Sequence, residues 1–261
     1  MLNSILAYFD GDVSFVFDTS FFLRFVFSPS PALLKGLGLT VMAAITSQVL
    51  GVILGCLLAL SGLSRFGLLR GFNQSYLFFF RGTPVLVQLV LIYYGLPYLL
   101  GGADLFPPRV FIGPLWVQGA LVAGIVTFGL HEAAYMSEII RAGIQSIDEG
   151  QSEAAQALGM TPALAMRRII LPQAARVIVP PLGNQFNQML KTTSLLSVIA
   201  VPELFRVAEE VQSATYKSFE VYLGVSVYYL ALTGAWTIIQ MLIERSLSGS
   251  RRTVTANARA A

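Results

Sequence analysis

Charge-free stretches divide the chain. No charged residue falls between Lys35 and Arg65, between Arg81 and Asp104, between Arg109 and His131, or between Glu220 and Glu244. A bilayer core takes about 20 apolar residues as a helix, so each stretch is long enough to cross it. A fifth runs from Val177 to Pro202 and is interrupted only by Lys191. The pattern predicts an all-α integral membrane protein with spans at about 36–62, 74–100, 112–140, 177–202 and 219–244. Val13 to Phe27 is aromatic-rich but short, carries Asp18 and Arg24, and stops at Pro29-Ser-Pro31. It predicts an interfacial helix within an extracytoplasmic extension over 1–32. Residues 33–247 would form the membrane domain, and 248–261 a disordered cytoplasmic tail of Ser, Gly, Arg, Thr and Ala.

Composition agrees. The chain is 55% hydrophobic and 12% charged, against about 25% charged in a typical soluble domain. That leaves too little polar surface for a soluble enzyme, a disordered regulator or a nucleic-acid module of 261 residues. The net charge of +3 is expected of cytoplasmic loops facing anionic lipid. With the N-terminus outside, ten Lys and Arg fall in cytoplasmic connections (Arg65, Arg70, Arg141, Arg167, Arg168, Arg176, Arg245, Arg251, Arg252, Arg259). Five fall outside (Arg24, Lys35, Arg109, Arg206, Lys217). This favours N-out and C-in. Cys56 is the single cysteine and lies in an apolar run, so no intrachain disulfide is possible. The start lacks a basic n-region, so a cleaved signal peptide is not expected.

The loop over 145–172 is too polar to span and too rich in helix formers to be coil. Glu149, Glu153, Ala154, Ala155, Ala157 and Leu158 predict a short helix, with acids near its start to suit the dipole. Gly159 stands where a left-handed cap belongs. Thr161-Pro162 follows as N-cap and first helical position. Ala163 to Ile170 forms a second short helix, expected to close at Leu171-Pro172. Such an elbow is shaped to dock into a partner. A partner that pulled on it would tilt the two spans to which it is fixed.

Glu153-Ala154-Ala155, three residues, Gly159, nine residues, Ile169, one residue and Leu171-Pro172 resemble the EAA signature of the permease subunits of binding-protein-dependent ABC importers. Arg81-Gly82-Thr83-Pro84 with Gln88 and Tyr93-Tyr94-Gly95-Leu96-Pro97 resembles the second span of the polar-amino-acid group, the histidine, glutamine and arginine importers. Ala134 to Gly143 (AYMSEIIRAG) and Lys191 to Leu195 (KTTSL) resemble parts of that group's third and fourth spans.

The resemblance covers roughly Leu33 to Arg245 and implies the type I ABC importer fold. It implies a second permease subunit, identical or homologous, two ATPase subunits docked on the elbow, and an extracytoplasmic amino-acid-binding protein. It places the assembly in a bacterial inner membrane, with no nucleic-acid partner. Glu153, Ala154, Ala155, Gly159, Ile169, Leu171 and Pro172 would couple to the ATPases. The chain has no Gly-Lys pair and so no Walker A loop. ATP and Mg²⁺ are therefore expected on partner subunits, with no cofactor and no catalytic residue on this chain.

Polar residues inside apolar spans are candidates for a substrate pathway. They are Gln88 behind Pro84, Glu138, the amides Asn184 and Gln188 at i,i+4, and Lys191 with Thr192 and Ser194. Each also has a structural reading. Glu138 is placed to pair with Arg141 at i,i+3, the amides to bind helices together, and Lys191 to snorkel or meet an acid. Glu132 is comparable to Glu138. His131-Glu132 begins like a zincin motif, but Tyr135 stands at i+4, and no metal site is expected. An intramembrane hydrolase would need a partner for the lone histidine. A secondary amino-acid transporter would need no docking elbow.

Overall fold

A computed structural model describes residues 17–112 and 115–248. The expected tail, from 249 on, and the segment before Phe17 lie outside the described residues. Helix α1 (Thr19–Phe27) is capped by Asp18, which accepts from the Phe21 N–H. After a short break, α2 (Pro31–Gly62) starts at Ser30, whose hydroxyl accepts from the Leu33 N–H, with Pro31 in the first turn. There follow α3 (Gly67–Gly82), α4 (Val85–Leu99) and a hairpin of β1 (Val110–Ile112) and β2 (Leu115–Val117). Then come α5 (Gly119–Gln145), α6 (Glu149–Ala157), α7 (Pro162–Ala165), α8 (Leu171–Thr192), α9 (Leu204–Thr215) and α10 (Ser218–Ser248).

Among the described residues, three helices are long and apolar enough to cross a membrane: α2, α5 and α10. The pair α3 and α4, bent by 104°, makes a fourth if it is one span. The helix expected from 112 begins instead at Gly119, because β1 and β2 occupy the intervening stretch, and it continues to Gln145. The helix expected over 74–100 is interrupted at Thr83-Pro84, where the proline lacks the N–H that an unbroken helix needs.

Helices α2 and α5 pack most closely. A Cβ on Gly51 would stand 2.7 Å from the Glu132 side chain, and one on Gly55 would stand 2.4 Å from that of Met136. Small residues at these turns let the two backbones approach. The core formed around this pair includes Ala43, Ala44, Leu89, Leu121, Phe128, Met189 and Leu196. A second cluster joins α9 to α2 and α10 through Leu33, Leu204, Val207, Val221 and Val225.

Glu203 sits between those three helices, fully buried. Its carboxylate caps α9 by accepting from the Phe205 and Arg206 N–H groups, and it also accepts from the Thr40 and Tyr229 hydroxyls. Four donors are what an interior carboxylate requires. Nothing in the sequence pattern singles it out.

Two wide turns precede prolines. The π-helical turn Leu91–Gly95 stands just before Leu96-Pro97, and Met166–Ile170 just before Leu171-Pro172. In each the following leucine N–H reaches back five residues, Leu96 to the Leu91 carbonyl and Leu171 to that of Met166. A proline inside an α-helix clashes with the carbonyl four residues back, and a locally widened turn gives that carbonyl room. Leu171-Pro172 therefore does not close the second elbow helix, as the sequence suggested. The chain passes from α7 through the π turn into α8 without a stop.

Pro180 and Pro181 lie inside α8, where they remove two N–H groups. Helix α10 donates to the neighbouring backbone, with Trp236 Nε1 on the Gly183 carbonyl (2.8 Å) and Gln240 Nε2 on that of Pro180 (3.2 Å). At the other end of α10, Lys217 pairs with Asp18, and the Asp18 N–H donates to Glu220 Oε1 at 2.8 Å. The Tyr228 hydroxyl faces the carbonyls of Phe25 and Val26 at the end of α1. Helix α1 is thus held against α10 at both its ends.

Candidate coupling elbow and polar cavity

The elbow is made by local capping. Asp148 caps α6 by accepting from the Gly150 N–H. At the far end Gly159 has φ +77°, its N–H donates to the Gln156 carbonyl, and Met160 N–H donates to that of Ala155. That pair of bonds is a Schellman ending, which needs a left-handed residue where Gly159 stands. Thr161 then caps α7, with Pro162 in its first turn. Gln173 ties the elbow to α8 by donating to Gln151 Oε1 (3.1 Å) and to the Ile169 carbonyl (3.0 Å).

The seven signature residues do not share one surface. Glu153, Ala154, Gly159, Leu171 and Pro172 are exposed. Ala155 is buried within the chain and Ile169 is half-buried. Leu158 beside Gly159 is 79% exposed, a large apolar side chain at the outer corner. The sequence reading used Leu158 only as a helix former. Its place on a polar nine-residue helix, next to the cap, was the available signal.

The bend between α3 and α4 is held by one side chain. Gln88, buried, donates its amide to the carbonyls of Phe80 (2.9 Å) and Thr83 (3.1 Å) and to Thr83 Oγ1 (2.8 Å). Its Oε1 lies 3.0 Å from His131 Nδ1. Both ends of Gln88 are thus engaged inside the protein. Arg81, at the end of α3, pairs with Glu138 of α5 and lies over the Tyr135 ring at 5.6 Å. The expected pair of Glu138 with Arg141 does not form; Arg141 reaches Gln145 instead. The bend brings Arg81 to α5, a neighbour that helical spacing alone does not reveal.

A cavity of about 620 Å³ opens between α5 and α8. One wall is the α5 stripe His131, Glu132, Tyr135 and Ile139; the other is Asn184, Gln185, Gln188 and Thr192 of α8. Both follow the helical repeat of three and four. Of the sequence candidates, Asn184, Gln188 and Thr192 meet here. Lys191 and Ser194 do not: they line a separate hollow with Phe205, Tyr222 and Tyr229. A step of one residue, about 100° around a helix, sends Lys191 and Thr192 to different faces.

The cavity holds one carboxyl, Glu132, whose nearest donor is Gln48 Nε2 at 3.4 Å. Neither Lys nor Arg lines it. His131, which the sequence offers only as the start of a metal motif, and Tyr135 are further wall residues. A polar member recurring on one stripe of an apolar span was their signal. Among the described residues no group of three or more His, Cys, Asp or Glu is placed to hold a metal.

Comparison with known proteins gives the family. Residues 51–249 match the family described as binding-protein-dependent transport system inner membrane component. The probable amino-acid permease protein YxeN of Bacillus subtilis is 42% identical over 230 residues, 88% of this chain and 97% of that protein. The arginine transport system permease protein ArgU of Corynebacterium glutamicum is 40% identical over 85% of this chain and 70% of its own length. A crystal structure of an amino acid ABC transporter with histidines superposes with a TM-score of 0.73 at 39% identity, covering 86% of this chain and 98% of that one. The MetNI methionine ABC transporter, in an inward-facing conformation, shares the fold at 19% identity with a TM-score of 0.66, over 83% of this chain and 96% of that one.

Proposed function

The chain belongs to the inner membrane components of binding-protein-dependent transport systems and is a permease subunit of an ABC importer, and from that premise we propose that it carries a polar amino acid across a bacterial inner membrane. The observation that carries the reading is the capped elbow over Glu149–Ile170, exposed at Glu153, Ala154, Leu158 and Gly159 and continuous with α8, which lines a polar cavity. A rigid elbow joined to a cavity wall transmits a partner's movement to that wall.

In this reading two ATPase subunits hold ATP and Mg²⁺ and grip the elbows of two permease subunits. The chain crosses the membrane five times, N-out and C-in, with α8 and the turn after it as the fourth crossing. ATP binding draws the elbows together and favours the outward-open state, into which an extracytoplasmic binding protein releases its amino acid. The permease performs no chemistry. Coupling is the difference in ATP affinity between two arrangements of the helices. In the cavity Glu132 suits the ammonium of an amino acid, while the amides of Asn184, Gln185 and Gln188 and the Thr192 hydroxyl suit its polar groups. Lys191 and Ser194 would act from their separate hollow.

The test is reconstitution of the permease with its ATPase and binding-protein partners in proteoliposomes, followed by uptake of labelled arginine, glutamine and cystine. Uptake of one or more that requires ATP is expected. Uptake driven by an ion gradient without ATP, or no association with an ATPase subunit, would overturn the proposal.

A further inference from the structure

The bend and the cavity share one side chain, His131, and the hydrogen bonds around it determine which of its nitrogens carries the proton. The carbonyls of Phe80 and Thr83 lie at the end of α3, where no helical N–H follows to meet them. Carbonyls only accept, so the group 2.9 and 3.1 Å from them must be the NH₂ of Gln88. The third contact agrees, because the Thr83 hydroxyl is already donating to the Phe79 carbonyl and can accept from Gln88. Oε1 of Gln88 is thereby turned to His131. A carboxamide oxygen only accepts, so His131 Nδ1, 3.0 Å away, must be the donor. In a neutral imidazole a protonated Nδ1 leaves Nε2 bare. His131 lines the cavity; the Phe80 backbone also stands beside its imidazole, and among the described residues no hydrogen bond is made by Nε2.

We propose that His131, held as the Nδ1–H tautomer by Gln88, accepts through Nε2 a hydrogen bond from the ammonium group of the transported amino acid, with Gln88 as the positioning residue. This rests on the cavity being the substrate site, as proposed above. Glu132, on the same wall, is a further acceptor, its Oε1 held by Gln48 of α2 at 3.4 Å, and neither Lys nor Arg is among the residues that line the cavity. The arrangement joins substrate to backbone: ammonium, imidazole, carboxamide and the carbonyls at the bend form one chain of donors and acceptors. A substrate that strengthens the first link acts on the bend through the rest.

His131 is the only histidine of the chain, which makes the proposal directly observable. The permease, labelled with [¹⁵N]histidine and assembled with unlabelled partners in lipid, gives one imidazole spectrum per permease position. The expected spectrum has a protonated Nδ1 and a bare Nε2. Saturation with whichever of arginine, glutamine or cystine the complex takes up should shift the Nε2 resonance. A protonated Nε2 beside a bare Nδ1 would overturn the proposal, and so would an Nε2 resonance unmoved at saturation.

Uptake kinetics give a second reading. His131→Asn places an amide N–H near the position of Nδ1 but has no counterpart of Nε2, so KM should rise about tenfold or more. His131→Leu loses both contacts and should also lower Vmax, which the Asn variant should recover. An unchanged KM in His131→Asn would overturn the proposal. Should the wild-type complex fail to associate with an ATPase subunit, or take up amino acid without ATP, the function reading falls too; should it transport normally while Nε2 stays silent, only this inference falls.

Discussion

Gly159 occupies a left-handed conformation with open space around its Cα. Those two facts separate conformational cost from steric cost at the elbow. An L-residue in that conformation costs about 1–2 kcal/mol, while an added Cβ meets no atom of this chain within 4 Å. Gly159→Ala should therefore lower the stability of the isolated permease by about 1 kcal/mol without rearranging the elbow. Thermal unfolding in detergent checks this. If stimulation of the ATPase by the assembled permease falls much further than stability does, the excess belongs to the partner surface at Gly159. Other residues are set by their partners rather than by their own type. Arg81 and Glu138 pair across α3 and α5, both side chains about a third or more exposed. An accessible pair of this kind contributes about 0–1 kcal/mol, so its value lies in orienting α3 more than in holding the protein together.

At the scale of elements, the bend of 104° between α3 and α4 depends on satisfying carbonyls that Pro84 cannot serve. Gln88→Leu keeps the volume but leaves the Phe80 and Thr83 carbonyls without their side-chain donor. Leaving a buried acceptor unpaired costs about 1–3 kcal/mol. The variant should lose that much stability in chemical denaturation and show faster hydrogen exchange around residues 80–88. Gln88→Asn, one methylene shorter, should recover little. The proline was visible in the sequence as the site of a break, but its bolt was not, since nothing local joins residue 88 to the end of α3. The elbow was more legible, because its caps are all short-range: Gly159, Thr161 and Pro162 act within a few residues of themselves. Pro172 misled for the opposite reason. Read alone it ends a helix, yet the five-residue reach from Leu171 to Met166 widens the turn and carries the chain through. The cavity was least legible. Asn184, Gln188 and Thr192 could be chosen by polarity, but their meeting with His131 and Glu132 depends on how α5 and α8 pack.

On the scale of the whole molecule, α1 is attached through ionic contacts at its N-cap and hydroxyl contacts at its last turn. Lys217, with the Phe21 N–H and the Ser20 hydroxyl, holds the Asp18 carboxyl well below the usual carboxylate range. A lowered native pKa contributes stability that is complete above the unfolded value of about 3.9 and is lost as pH falls through the lowered one. Docking of α1 should therefore be insensitive to pH between about 4.5 and 8, with loss only in stronger acid. Limited proteolysis across 17–30 should be equally slow at both ends of that range, and faster at both in Asp18→Asn. Helix α10, to which α1 is fastened, has only 6% of its most apolar window covered by this chain, so its outer surface is left to lipid or to another subunit. Cys56 offers a way to count those subunits. It is the lone thiol of the chain, is exposed on α2, and sits beside Gly55, which is pressed against α5. A nitroxide attached there marks each copy of this polypeptide once. A dipolar spectrum from the labelled assembly would reveal two copies and report their separation with and without nucleotide; an isolated spin would identify the second permease as a different gene product.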